Sequence, residues 1–461
     1  MRNLLPNDPL IKTFTSPREV IVCEPVTLFS LLYLLPSVLL AALLYPPWAH
    51  LRSLRFIRLL LLMPISIYLS LRLPIDYCFI PTTRRGYPNL ALACASFIVA
   101  ARSFHWGCLT NYKHGNIHKR PEFQLSSSSI KTSHPLHSDK KILALDQKQH
   151  QISSCSFDHW LAWTLELLSS PRGVQYAWGI KAAPSREGPI DIIKRMYKMN
   201  LIHLIAVTFS TLARDHGSPK GALRHLIGMG GFYGESMVAE GLANLAFGYF
   251  LISQIDLMYG YLTLLVHLVN IINRRVIRLP VWLMTTLDRR TCVPMFNRPY
   301  ASKSLAILWG KAWHQNFRQT FLICGGNPAA SLARLLGFSS HIQQRLATMI
   351  GCFFVSAILH EYALHFIARA PHPNAHILYH EFPGSALYFM LQPIGILMEP
   401  YLAPYVPGGG VVVTYVFTLV TTTPFRRQYF TPGRLLDHSY PPFSYTWLIS
   451  SLLIPGFSSR G

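Results

Sequence analysis

The sequence predicts an all-α protein, a polytopic transmembrane helical bundle of roughly eight to ten spans. Three observations carry that expectation. Of 461 residues, 51% are hydrophobic and only 13% charged, where an average soluble domain has roughly 25% charged, so the charges are too few to coat a globule of this size. Apolar runs close to the roughly 20 residues that cross a bilayer recur along the chain. Pro, Arg and Tyr bound these runs, as they do at helix ends in a membrane interface.

In chain order, apolar segments at 25–45, 56–71 and 88–104 make an N-terminal unit of transmembrane helices, residues 1–104. Asp8, Arg18, Glu19 and Glu24 precede the first run and no small-residue cleavage site follows it, so that span is expected to direct insertion rather than be removed. Residues 105–158 are rich in Ser, His, Lys and Gln, with the run Ser126 to Ser129, and read as a polar, flexible, exposed loop. Residues 159–461 form the core. Trp160 to Trp178 is aromatic but broken by Pro171, Arg172 and Gly173, which suits an interfacial element. Apolar segments follow near 199–213, 236–254, 257–273, 345–367, 385–400, 410–424 and 445–457, with no repeat period.

The chain has 42 basic against 20 acidic residues, a net charge of +22. Nucleic acid fits this excess poorly, because the basic residues sit in short clusters beside apolar runs, as at Arg52, Arg55 and Arg58 or Arg274, Arg275 and Arg278, where the positive-inside bias and snorkelling account for them. The same field favours a phosphate-rich substrate arriving from the cytosol. The eight cysteines show no C-x-x-C or zinc-ribbon spacing, so they are expected to pack as small apolar side chains, with neither a disulfide framework nor a cysteine metal site.

An ionisable residue inside a membrane helix is costly and marks function by default. The run Ser356-Ala357-Ile358-Leu359-His360-Glu361-Tyr362 places His360 near mid-span. His365 lies five residues on, about 140° away around a helix, so the two do not readily share a ligand or proton. Imidazole titrates near neutrality, and His360 can take a hydroxyl proton as the oxygen attacks a thioester. A solitary buried histidine is otherwise a hydrogen-bonded packing residue. At helical spacing the stretch Ser304 to Arg318 puts Trp309, Trp313 and Phe317 on one face and Lys311, His314, Gln315 and Arg318 on another, an interfacial helix with its polar face toward a pocket; an ordinary tryptophan belt gives the same pattern. His372, His376 and His380 recur at i, i+4 and i+8, but Pro371 and Pro373 disrupt the turn, and no metal is expected there.

The string Trp309-Gly310-Lys311-Ala312-Trp313-His314-Gln315, preceded by Pro294-Met295-Phe296 and Ser304-Leu305, resembles the signature of the wax-synthase branch of the membrane-bound O-acyltransferases. His360 in Leu359-His360-Glu361-Tyr362 resembles the invariant membrane histidine of that superfamily, and Ser170-Pro171-Arg172-Gly173 with Trp178 is similar to a third stretch. The three cover about residues 160–370. The chain departs from the pattern at Ala306 and Ile307, where the family often carries Arg and an acidic residue, and at Ala312, where a basic residue is common.

The resemblance implies a helical bundle of membrane-bound O-acyltransferase type with an internal reaction chamber. His360 acts as base there and His314 orients or polarises the reacting groups. It implies substrate or cofactor contacts from Trp309, Lys311, Trp313, Gln315, Arg318 and Glu361, no bound cofactor, and acetyl-CoA as co-substrate. The His314-Gln315 continuation is closer to fungal terpenoid and meroterpenoid acetyltransferases than to plant wax synthases. That implies acetyl transfer to a hydroxyl of a hydrophobic terpenoid in secondary metabolism, in the endoplasmic reticulum membrane, with the bilayer and the alcohol as partners and no nucleic acid. The competing enzyme reading is a long-chain wax-ester synthase acting on fatty alcohols; a di-iron desaturase needs His-His pairs, which the chain lacks. The non-enzyme alternative is a proton-coupled transporter relaying through His360 and Glu361, for which matching repeats are missing.

Overall fold

The computed structural model describes residues 23–80, 86–108, 157–176, 178–228, 230–367, 383–430 and 435. The polar stretch 109–156, the series His372, His376 and His380, and the apolar run 445–457 lie outside these residues. The principal helices are α1 (Phe29–Ala42), α2 (Arg52–Asp76), α3 (Gly86–Cys108), α4 (Phe157–Ser169), α5 (Pro189–Asp215), α6 (Glu235–Arg275), α7 (His341–Leu364), α8 (Gly384–Leu402) and α9 (Gly409–Tyr429). The one sheet among the described residues is a parallel pairing of β1 (Glu24–Pro25) with β2 (Tyr77–Cys78).

Among the described residues, four helices are long and apolar enough to cross a membrane: α2, α3, α6 and α7. Helices α5, α8 and α9 are also long, at 27, 19 and 21 residues, but carry charges (Lys194, Arg195 and Lys198 on α5) or prolines (Pro393 and Pro400 on α8, Pro424 on α9). The roughly eight to ten spans expected from the sequence also include these helices and the run 445–457, which lies outside the described residues. The segments 236–254 and 257–273, however, are not two separate helices. They form the single 41-residue helix α6, because the polar residue between them needs no turn to reach solvent: Asp256 is buried against Arg195 of α5 at 2.6 Å. The Trp160–Trp178 stretch is helical only as α4, 13 residues long and about 20 Å, too short to cross. Arg102 of α3 donates to the carbonyls of Leu167 and Ser170 at 2.9 and 2.5 Å, closing its C-terminus.

Large apolar side chains such as Leu60, Leu265, Leu268, Phe354 and Val420 are exposed on the outer faces, whereas polar side chains turn inward and meet one another, as they must where no water competes. Ser37, Ser66 and Ser103 join α1, α2 and α3. Asn244 of α6 donates to Leu419 O and Thr423 Oγ1 of α9 at 2.9 and 2.8 Å, and Tyr362 of α7 donates to Leu71 O of α2 at 2.7 Å. The main core joins α5, α6, α7, α8 and α9 through residues such as Phe247, Phe250, Ala357, Phe389 and Phe425.

The cysteine expectation is corrected. Cys23 and Cys78 form a disulfide across 55 residues, with Cα atoms 5.8 Å apart. Spacing rules recognise local pairs, while this pair is set by the β1–β2 bridge, which places Pro25 opposite Cys78. In denaturing alkylation without reductant, Cys23 and Cys78 should be recovered in one linked peptide pair while Cys94, Cys108, Cys292, Cys324 and Cys352 take the reagent; labelling of Cys23 or Cys78 before reduction would remove the bond.

Candidate active site

A cavity of about 1400 Å³ opens between α3, α6, α7, α8 and α9 and the segment 299–322, larger than the roughly 300–1,000 Å³ of common ligand pockets. Aromatic and aliphatic side chains make most of its wall. Among the described residues no Asp or Glu lines it, and its charged or titrating nitrogen groups are His314, His360 and Arg318. Nor do any three described His, Cys, Asp or Glu side chains gather as a metal ion would require.

His360 stands on α7, one turn before its end at Leu364. Its Nδ1 lies 2.7 Å from Ser356 O. A carbonyl only accepts, so Nδ1 carries the proton and Nε2 holds the lone pair, the tautomer a general base needs. The ring is stacked on Phe389 of α8 at 4.1 Å and flanked edge-on by Phe425 of α9 at 5.6 Å. Close approach of α7 to the segment Leu322–Gly326 depends on Gly351, where a Cβ would stand 2.4 Å from Gly325 O.

His314 comes from a broken helix. Ser304 caps its start, accepting from Ile307 N at 3.0 Å, and the buried carboxylate of Glu399 on α8 accepts from Leu305 N at 3.0 and 2.9 Å. Leu308–Ala312 then widens into a π-turn closed by Trp313 N to Leu308 O at 2.7 Å, and Trp313 is extended. The predicted helical faces over Ser304–Arg318 are thus overturned, since helix ends at Ala312 and resumes at Arg318. Gly310 lowers helix propensity at that point, and Gln315 Nε2 donates to Trp313 O at 2.9 Å, closing the turn with a side chain. Single π-turns recur at functional sites because they redirect one side chain. Here the redirected chain carries His314 into the cavity wall beside Phe296, whose edge faces Trp313 and His314 at 5.3 and 5.7 Å. Burial, with the nearby His360 and Arg172, pushes the His314 pKa down to about 3, so its imidazole is neutral at cellular pH and offers one N–H.

Of the sequence candidates, His360, His314, Trp309, Trp313, Gln315 and Arg318 line the cavity. Lys311 and Glu361 do not, which corrects their placement. Lys311, within the π-turn, is exposed. Glu361 follows His360 and therefore points elsewhere around α7: its Oε1 accepts from Ser385 Oγ and, at 2.9 Å, from Ala386 N, at the first turn of α8. The indole of Trp309 is already committed, donating to Gln392 Oε1 at 3.1 Å. The residues of α8 that hold this site, Phe389, Gln392 and Glu399, were missed in sequence. Gln392 and Glu399 are polar, seven residues apart and inside an apolar run, the same signal that picked out His360.

Residues 292–382 match the sequence profile of the Membrane bound O-acyl transferase family. The chain is similar to membrane-bound O-acyltransferases. It is 24% identical over 263 residues to the "O-Mevalon transferase yanI" of Aspergillus niger, covering 52% of each chain. It is 25% identical over 248 residues to the "Acetyltransferase pyr8" of Aspergillus fumigatus, covering 52% of this chain and 53% of that one. The alignments thus span about half the length of these relatives. The stretch matched to the acyltransferase family holds His314, His360 and every candidate between Trp309 and Glu361.

Glu399 makes a stability prediction. Glu399→Ala leaves the buried Leu305 N–H without an acceptor, a loss of about 1–3 kcal/mol, so the unfolding midpoint in detergent should drop, with Glu399→Gln restoring part of it. Equal midpoints for the parent and both variants would show that the cap does not hold the segment.

Proposed function

We propose that the protein is an acyl-CoA-dependent O-acyltransferase that moves acetyl from acetyl-CoA to a hydroxyl of a hydrophobic terpenoid or meroterpenoid, in the endoplasmic reticulum membrane. The observation that carries this reading is His360: a base-competent tautomer, held by Ser356 O at 2.7 Å, in the same largely apolar cavity as a neutral His314. Similarity to proteins named as an acetyltransferase and an O-mevalon transferase supports acyl transfer. Since the groups in those two names differ, the choice of acetyl rests on the His314-Gln315 continuation instead. A proton relay in a transporter is disfavoured, because among the described residues no carboxylate lines the cavity and Glu361 is engaged at the start of α8.

In the reaction, Nε2 of His360 takes the proton from the acceptor hydroxyl as its oxygen bonds to the thioester carbonyl carbon. The charge that develops on the carbonyl oxygen is met by an N–H of neutral His314; the Trp309 indole, bonded to Gln392, is not free for that role. The C–S bond then breaks and the leaving CoA sulfur takes the proton from His360, giving the acetate ester and CoA thiol. Arg318, on the wall and exposed, suits the donor's phosphates. A polycyclic alcohol dissolves in the bilayer and can enter from the side.

Microsomes containing the protein, offered acetyl-CoA and palmitoyl-CoA with terpenoid alcohols, sterols and fatty alcohols, test the assignment. Acetate ester formation should dominate, and His360→Ala should lower it by about 100-fold or more with detergent monodispersity unchanged. Palmitoyl transfer to fatty alcohols at well above the acetyl rate would replace the reading with wax-ester synthesis. In the same assay His314→Asn should keep partial activity through its amide N–H, while His314→Ala loses more; equal rates for the two would end the proposed role of His314.

A further inference from the structure

We propose that Arg172 is a positioning residue for this reaction, clamping the 293–296 segment and Tyr259 so that Phe296 holds His314 in the cavity wall. The inference rests on the acyl-transfer reading for its consequence, but its geometry stands apart from it. Arg172 is buried in the loop after α4. Its Nη1 donates to Pro294 O at 3.1 Å, and its Nη2 to Val293 O at 2.6 Å and Tyr259 Oη at 2.7 Å, with the guanidinium 5.0 Å from the Tyr259 ring centre. One planar fork thus ties three distant parts of the chain, a task the point charge of lysine performs poorly.

The loop that presents Arg172 is itself fixed. Gly173 takes φ +58°, where a Cβ would lie 2.4 Å from the Trp178 ring, Tyr176 N donates to Gly173 O at 2.8 Å and Ile180 N to Arg172 O at 3.0 Å. Beyond the clamp, Met295 and Tyr259 line the cavity, and Asn297 N donates to Ala312 O at 2.9 Å. Phe296 is therefore pinned on both sides, two residues from Pro294 and one from Asn297, with its edge on Trp313 and His314.

The fixed cation has a second effect on His314. The charged or titratable groups around that ring are Arg172 from the loop after α4, His360 from α7 and Arg318 on its own segment, with the phenols of Tyr259 on α6 and Tyr388 on α8 and the thiol of Cys352 on α7 also at the cavity. The phenols and thiol are uncharged near pH 7, so Arg172 works in the same direction as burial and disfavours the imidazolium.

Arg172→Lys and Arg172→Met, purified in detergent, test the clamp. Both should lower kcat about tenfold or more, the scale of a modest misplacement of a reacting group, with KM for acetyl-CoA little changed. Diethyl pyrocarbonate modification of His314, followed on its peptide by mass spectrometry from pH 5 to 7, reads the ring without any need for turnover. It should be slow in the parent and faster in both variants. Between pH 5 and 7 the rate should stay flat in all three proteins, because burial, the largest cause of the low His314 pKa of about 3, persists when Arg172 is replaced. If Arg172→Met leaves both kcat and His314 modification as in the parent, the proposal is overturned. If the parent transfers no acyl group to any alcohol, the acyl-transfer reading fails, and the modification rates still decide whether Arg172 holds His314. Should Arg172→Met not fold, Arg172→Lys with unchanged kcat and unchanged modification rate overturns the clamp by itself.

Discussion

The contact between the Glu361 carboxylate and the first turn of α8 is the constraint on which the site depends. Glu361 adjoins His360 on α7, and by accepting from Ser385 Oγ and Ala386 N it sets where α8 begins. A carboxylate at a helix N-terminus meets both unpaired N–H groups and the positive end of the helix dipole. In an apolar surrounding that contact has little competition from water. From this origin α8 places Phe389 against the His360 ring, Gln392 under the Trp309 indole and Glu399 at the start of the segment that leads to His314. One helix therefore sets the relation between the two histidines, although it contributes neither.

Membrane surroundings explain why so many of these ties are polar. Apolar packing between helices gains little where the alternative partner is lipid, and shape alone holds a cavity of about 1400 Å³ poorly. The protein instead uses pairs that leave few unsatisfied groups: Arg195 with Asp256, Asn244 with α9, Arg102 with the end of α4. Of these only Asn244 is on the cavity wall, and among the described residues that wall keeps no carboxylate. That separation leaves an interior in which a neutral imidazole can move a proton without a competing acid beside it.

Sequence was most informative where physical cost is local. An imidazole in an apolar run is expensive wherever the helix goes, so His360 was visible, and His314 was visible through the aromatic and basic pattern that resembles a known family. The same principle applied to Gln392 and Glu399 would have found the supports on α8. Lys311 and Glu361 were misplaced for a different reason: helical periodicity assumes an unbroken helix for Lys311, and adjacency to His360 says nothing of where the next side chain points. The π-turn at Leu308–Ala312 invalidated the first assumption, and the 100° step from His360 to Glu361 the second.

The sequence by itself determined the helical, membrane-embedded class and the position of His360 on a helix, because composition and apolar run length are properties of the chain that no packing alters. Only the tertiary structure decided that two apolar segments fuse into α6, that Cys23 meets Cys78, that Arg172 reaches Val293 and Pro294, and that His314 leaves its helix for the cavity. Each of those depends on a partner 55 or more residues away, and a pattern read within a single turn of helix holds no record of such a partner.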